Sequence, residues 1–213
     1  MSERRAPAVT LVDYGVGNTA SVIRAFRRLG AEVDFTPDLD RVAEARRLVL
    51  PGVAAFAPAM NRLLETGLES AVRAAVKRGG RLLGLCLGFQ LLFEESEEHG
   101  RHAGLGFLPG RVRRFEGDLP VPHMGWNRLR GHRPHPILDG IADGAHVYFV
   151  HSYYCDAPSD VVIASSDYGH DFAAIVGRGS VLGVQFHPEK SQDVGLRMVE
   201  SFVRVVDAAR RAA

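Results

Sequence analysis

Cysteine is scarce in this sequence. Only Cys86 and Cys155 occur in 213 residues, and their settings give no hint of a disulfide framework. That scarcity fits a reducing compartment and predicts a cytoplasmic location. Net charge is nearly absent too: 26 basic residues against 25 acidic ones leave +1. This excludes a general electrostatic attraction to nucleic acid or to anionic membrane. No apolar run approaches the roughly 20 residues that span a bilayer. Val9 to Val12 is too short for the apolar region of a signal peptide. Internal repeats, low-complexity blocks and linkers are missing as well. What remains, 46% hydrophobic and 24% charged, is the balance of an ordinary globular chain with a substantial core. One domain over residues 1–213 is predicted, with short basic tails at 1–7 and 207–213.

Strand and helix signals alternate through the first half. Val9 to Val12 is an apolar run stopped by Asp13 and the turn Tyr14-Gly15-Val16-Gly17-Asn18. A helix follows, capped by Asn18 or Thr19, with Val22, Ile23, Phe26 and Leu29 on one face. Ala31 to Phe35 and Leu48 to Leu50 read as strands, the latter ended by Pro51-Gly52. Helical patterns cover Pro58 to Leu64 and Leu68 to Lys77, closed by Gly79-Gly80. Leu82 to Leu85 is a buried strand, and a helix is expected from Cys86 through Gln90 and Phe93. The second half is strand-rich: Val112 to Phe115, Val147 to Tyr154, Val161 to Ser165, Ala173 to Val176 and Val181 to Phe186. A last helix aligns Leu196, Val199, Phe202, Val203 and Val206. The expected fold is α/β, a mixed and mostly parallel sheet with helices on both faces.

Gly84-Leu85-Cys86-Leu87-Gly88 has the pattern of a nucleophile elbow with cysteine in the serine position. Such a turn pushes the nucleophile out over the sheet edge, and small residues at −2 and +2 relieve the clashes it creates. At a helix N-terminus the backbone dipole also favours thiolate over thiol. Taken alone the match is equally compatible with a buried structural cysteine. Cys155 ends a strand run without an elbow and reads as packing.

A cysteine nucleophile needs a proton carrier, and the carrier needs holding. Of nine histidines, His187 follows a buried strand and precedes Pro188 and Glu189. A carboxylate two residues on can lie beside the imidazole and fix its tautomer. His151 lies within an apolar strand and fits a hydrogen-bonded core histidine. An oxyanion needs amide donors. Leu87, the residue after the nucleophile, supplies one, and Leu50-Pro51-Gly52-Val53 ends a strand where a second is needed. The same four residues also fit an ordinary Pro-Gly turn.

Three blocks, LPGV (50–53), GLCLGFQLLFE (84–94) and GVQFHPEKS (183–191), resemble the motifs of class I, triad-type glutamine amidotransferases. DYGVGN (13–18), PHMGWN (122–127) and YFVHSYY (148–154) are similar, more narrowly, to the glutaminase subunits of imidazole glycerol phosphate synthases of histidine biosynthesis. The blocks stand in family order and cover nearly the whole chain.

The resemblance implies Cys86 as nucleophile, His187 as general base and acid, and Glu189 as its orienter. It implies Gln90 and Glu98 as ligands of the amino-acid end of glutamine, and Gly52, Val53 and Leu87 as the oxyanion site. Tyr14, Asn18, Met124, Trp126 and Lys190 would face a partner cyclase subunit that receives the ammonia in a heterodimer. No cofactor or metal is implied, nor any nucleic-acid or membrane partner. Two positions depart from the family pattern: Ala54 stands where glycine is usual, and Phe89 where methionine is frequent. Ala54 restricts backbone freedom in the loop. Another class I glutaminase, a γ-glutamyl hydrolase and a non-catalytic regulatory relative are the alternatives. The first two would share the triad but not DYGVGN or PHMGWN.

Overall fold

In a computed structural model of the chain, residues 6–211 are described except Val16, Asn18 and His132, and from residue 205 onward the backbone alone is described. The first half alternates β1 (Ala8–Val12), α1 (Ala20–Arg28), β2 (Glu32–Thr36), α2 (Leu39–Ala43), β3 (Arg47–Leu50), α3 (Phe56–Glu65), α4 (Leu68–Lys77), β4 (Arg81–Leu85) and α5 (Leu87–Gln90). Strands then dominate: β5 (Phe93–Ser96), β6 (His102–Ala103), β7 (Leu108–Arg114), β8 (His123–Arg128), β9 (His146–His151), β10 (Tyr153–Asp156), β11 (Val162–Asp167), β12 (Asp171–Arg178) and β13 (Val181–Val184). The final helix is α6 (Gln192–Arg211).

Seven strands form the central sheet in the order β11-β12-β13-β4-β3-β1-β2. From β13 to β2 the neighbours are parallel, while β12 and β11 add antiparallel strands at one edge. The expected mixed, mostly parallel sheet is therefore present. Its strands read as unbroken apolar runs because both faces are covered. Alternate residues feed opposite cores. Leu48, Leu50 and Leu82 join α2, α3 and α4 on one face. Val49, Leu83 and Leu85 join α1 and α6 on the other. Burial of each such side chain stabilises the fold by about 1.5–3 kcal/mol. Val206, the last member of the predicted stripe on α6, lies outside the described side chains, and Asn18 outside the described residues.

Three local expectations need correction. The helix after Cys86 stops at Gln90 rather than reaching Phe93. The carbonyls of Leu91, Leu92, Phe93 and Glu94 accept from the amides of Leu105, Leu108, Gly106 and Gly104, so they are not free for the next helical turn. The run Val147 to Tyr154 is two strands divided at Ser152: β9 pairs with β8, and β10 with β7 in another sheet. β8, whose HMGWNR sequence lacks β-branched residues, was not expected as a strand and forms through that pairing.

Candidate active site

Cys86 follows β4 with φ 53° and ψ −108°, a conformation that residues with a Cβ rarely adopt. The neighbours explain why the turn tolerates it. A Cβ at Gly84 would lie 2.6 Å from the Gly88 carbonyl oxygen, and one at Gly88 would overlap the Leu50 carbonyl. Glycine at both positions lets α5 fold back onto β3 and β4. The Cys86 amide donates to the Val184 carbonyl of β13 at 2.9 Å, and its own carbonyl accepts from the Gln90 amide at 3.2 Å. The thiol thus sits at the carboxyl ends of β3, β4 and β13.

His187 reaches the same edge because β13 lies beside β4. Its backbone is pinned at both ends. The His187 amide donates to the Tyr148 carbonyl (2.9 Å), and its carbonyl accepts from Ser191 Oγ (2.6 Å). Ser191 Oγ in turn accepts from the Tyr148 amide at 3.0 Å. Pro188 opens a single 3-10 turn over Pro188–Lys190, which swings Glu189 Oε1 to 2.8 Å from His187 Nδ1. A carboxylate only accepts, so Nδ1 carries the proton and Nε2 is the atom turned toward Cys86. Nε2 has no aligned hydrogen-bond partner among the described residues. Burial alone would pull the His187 pKa down, but the Cys86 sulfur and the Glu189 carboxylate favour imidazolium and push it up to about 10. The Cys86 sulfur is thus, with Glu189, one of the two groups that favour the charged imidazole.

The loop after β3 is held in one state. Leu87 N donates to the Gly52 carbonyl at 3.3 Å. The Tyr14 hydroxyl donates to the Pro51 carbonyl at 2.5 Å. The amide expected to stabilise an oxyanion is therefore already engaged by the loop expected to supply its companion. Val53 is 53% exposed at the tip.

Beside Cys86 opens a cavity of about 510 Å³, within the usual range for a small-molecule site, lined by Leu87, Gln90, Glu98, Tyr153 and His187 among others. Gln90 Nε2 donates to the Tyr153 carbonyl (3.0 Å) and to Gln185 Oε1 (3.1 Å), which leaves Oε1 as its free polar atom. Glu98 Oε2 accepts from the Phe56 amide at 2.6 Å, the first helical amide of α3. Ala55, at the cap of that helix, offers no side-chain acceptor, so Glu98 serves instead. The structure thus brings together Cys86, Leu87, Gln90, Glu98, His187 and Glu189, with Gly52 and Val53 alongside.

The predicted partner face divides. Met124 and Trp126 are 62% and 47% exposed on β8. The Trp126 ring meets Tyr148 edge-on at 6.0 Å, and the Lys190 ammonium lies 5.6 Å from the centre of the same Tyr148 ring. Tyr14 is a correction: its ring is buried beneath the Pro51-Gly52 loop, and burial chiefly, with the nearby Cys86, raises its pKa. Asn18 lies outside the described residues. Cys155 is fully buried and does not line the cavity at Cys86; burial pushes its thiol pKa well up. Sequence reasoning missed Gln185, Ser191 and the Tyr153 carbonyl. The first two lie within GVQFHPEKS, so the block carried a signal; a backbone carbonyl has none.

The sequence profile "Glutamine amidotransferase class-I" matches residues 10–205. The imidazole glycerol phosphate synthase subunit HisH of Geobacillus kaustophilus is 52% identical over 204 residues, covering 92% of this chain and 96% of that protein. The subunit of the same name from Moorella thermoacetica is 47% identical over 205 residues, covering 96% and 98%. Among solved structures, PurLQS from Thermotoga maritima superposes with a TM-score of 0.69 at 17% identity, covering 94% of this chain and 99% of that one. The glutaminase domain of Trypanosoma brucei CTPS with bound acivicin gives 0.68 at 16%, covering 95% and 94%. At those identities the two structures speak for the fold alone.

Proposed function

The chain belongs to the class-I glutamine amidotransferase family, and from that premise we propose that it is the glutaminase subunit of an imidazole glycerol phosphate synthase. It hydrolyses glutamine and passes the ammonia to a cyclase subunit. That subunit forms imidazole glycerol phosphate and aminoimidazole carboxamide ribotide in histidine biosynthesis. The observation that carries the chemistry is a strained Cys86 at a pocket edge, facing an imidazole that Glu189 holds at 2.8 Å.

In this reading Cys86 Sγ attacks the carboxamide carbon of glutamine, and its proton resides on His187 Nε2. The carbonyl oxygen becomes an oxyanion facing Leu87 N and the Gly52-Val53 amide. Collapse breaks the C–N bond, and the His187 proton leaves with the nitrogen as ammonia. A water molecule then adds to the thioester, His187 takes one of its protons, and glutamate departs as the thiol is restored. Glu189 keeps Nδ1 protonated and the ring in plane throughout. The free carboxylate oxygen of Glu98 and the Oε1 of Gln90 are acceptors suited to the α-ammonium end of the substrate.

The whole chain acts as one glutamine amidotransferase domain in this proposal, and its location is cytoplasmic. Among the described residues no helix is long and apolar enough to cross a membrane. The surface of Met124, Trp126, Tyr148 and Lys190 is the proposed cyclase face. The test is Cys86→Ala assembled with the cyclase. Glutamine-dependent product formation is expected to vanish and ammonium-dependent formation to persist. Loss of both in a well-formed complex would overturn the division of labour.

A further inference from the structure

Two buried histidines outside the triad are in contact: His151, at the end of β9, lines the pocket beside Tyr153, and His123, on β8, sits behind it, 5% and 4% exposed. Their hydrogen bonds form a single directed chain. Asn127 Oδ1 accepts from the Arg128 amide at 2.8 Å, which fixes that side-chain amide, so Nδ2 is the donor. Nδ2 donates to the Asp167 carbonyl (2.6 Å) and to His123 Nε2 (3.2 Å). His123 Nε2 is therefore bare and its proton is on Nδ1, which meets His151 Nε2 at 3.0 Å. His151 then carries its proton on Nδ1, 2.8 Å from the Tyr153 carbonyl. Starting from the other end gives the same answer, since a carbonyl only accepts. Both tautomers are thus determined twice.

The chain ends where the pocket begins. The Tyr153 carbonyl accepts from His151 Nδ1 and from Gln90 Nε2, filling both lone pairs. Gln90 is tied a second time to Gln185 Oε1. Aromatic rings fix the relay laterally. His123 is stacked between Tyr168, at 4.1 Å, and Phe149, at 5.0 Å, while Phe115 meets His151 edge-on at 5.3 Å. No charge is needed along this path, and an added proton would set two N–H groups against each other. Burial lowers the His123 pKa to about 4; burial first, then the neighbouring imidazoles His123 and His187, lowers that of His151 to about 3. The ionisable groups that face the pair include His187, across the pocket, and Tyr168, stacked on His123, with Tyr154 and His170 on the Phe115 ring that touches both histidines.

We propose that Asn127, His123 and His151 are positioning residues for the glutamine pocket, holding the Tyr153 carbonyl and through it the Gln90 amide with its acceptor oxygen toward the substrate ammonium. The inference rests on the reading that Gln90 contacts glutamine. It predicts that His151→Phe, which removes both ring bonds, raises KM for glutamine about tenfold while kcat stays within about twofold. Alkylation of Cys86 by iodoacetamide, which has no amino-acid end, keeps its rate.

The decisive design is a double-mutant cycle with Gln90→Leu, measured in the complex with the cyclase. If His151 acts through Gln90, adding His151→Phe to Gln90→Leu changes KM by less than twofold. Full multiplication of the two effects would overturn the proposal. Should Gln90→Leu alone leave KM unchanged, the substrate role of Gln90 fails instead, and the two failures are distinguishable. Asn127→Asp guards against misfolding of the ring variants, because it offers His123 Nε2 an acceptor and removes the donor. Nitrogen-15 NMR of the histidines is expected to show both rings protonated at Nδ1 in the parent and the His123 proton moved to Nε2 in Asn127→Asp, with a raised KM. Unchanged tautomers or an unchanged KM in Asn127→Asp would contradict the relay.

Discussion

Replacing Tyr14 by phenylalanine is expected to make the isolated chain a faster glutaminase. Two hydrogen bonds hold the loop after β3 in its present state, Tyr14 hydroxyl to the Pro51 carbonyl and Leu87 amide to the Gly52 carbonyl. While the second persists, Leu87 N is withheld from the oxyanion, and loss of one such donor costs about 3 kcal/mol of transition-state stabilisation, or more than a hundredfold in rate. Catalysis then runs through the minor population in which the loop has turned. Each hydrogen bond contributes about 0.5–1.5 kcal/mol net, so the pair favours the resting state by about 1–3 kcal/mol, a factor of about 5–150. That factor is the ceiling on stimulation by a cyclase and its ligand acting on this loop alone. Tyr14→Phe removes one bond and leaves the Pro51 carbonyl unpaired only in the resting state. The basal rate is expected to rise about two- to twelvefold, and the stimulated-to-basal ratio to shrink by the same factor. Steady-state glutaminase rates of the isolated chain, the bare complex and the complex with cyclase ligand measure both. A basal rate that is unchanged, or a ratio that does not fall, would refute the latch.

Ala54→Gly frees the backbone beside the same loop and is expected to change that ratio as well, in the same three-state assay. Gly88→Ala drives a Cβ into the Leu50 carbonyl and must separate α5 from β3; a displacement near 1 Å at the nucleophile lowers kcat/KM about a hundredfold, with circular dichroism checking that the fold survives. His187→Ala is expected to be nearly as damaging as loss of Cys86, and Glu189→Gln milder, because triad members act as a unit while the orienter does no proton transfer itself. The raised His187 pKa sets a sign for stability. Its imidazolium contributes fully below about pH 6.5, the unfolded value, and that contribution is lost as pH rises through about 10. Thermal unfolding midpoints should therefore fall across this window and fall less in Glu189→Gln, which already lacks one of the groups that raise the pKa.

Legibility in the sequence followed the kind of constraint at work. Leu82 to Leu85 and Val181 to Phe186 were readable because doubly covered parallel strands are continuous apolar runs. The elbow was readable because two backbone clashes demand Gly84 and Gly88. The helix after Cys86 was overextended because Leu91-Leu92-Phe93 has no periodicity that separates helix from strand, and the deciding partners lie at 104–108. β8 escaped notice for a similar reason, its pairing with β9 being a tertiary choice. Within the site, Cys86, His187 and Glu189 followed from chemistry and spacing, whereas Gln90 and Glu98 came from family resemblance. Tyr14 came to the partner face from family resemblance alone, whereas its ring packs under the Pro51-Gly52 loop. The histidine relay was invisible: His123 and His151 are 28 residues apart, and only the β8–β9 register sets them face to face.

The most direct test of the central claim is covalent labelling by a glutamine analogue that carries an electrophile in place of the carboxamide, followed by peptide mapping. Cys86, strained at the pocket edge beside His187, is expected to take the label stoichiometrically as glutaminase activity disappears, and Cys155, fully buried, to remain untouched. Inactivation with the label on Cys155, or complete inactivation with Cys86 unmodified, would contradict it.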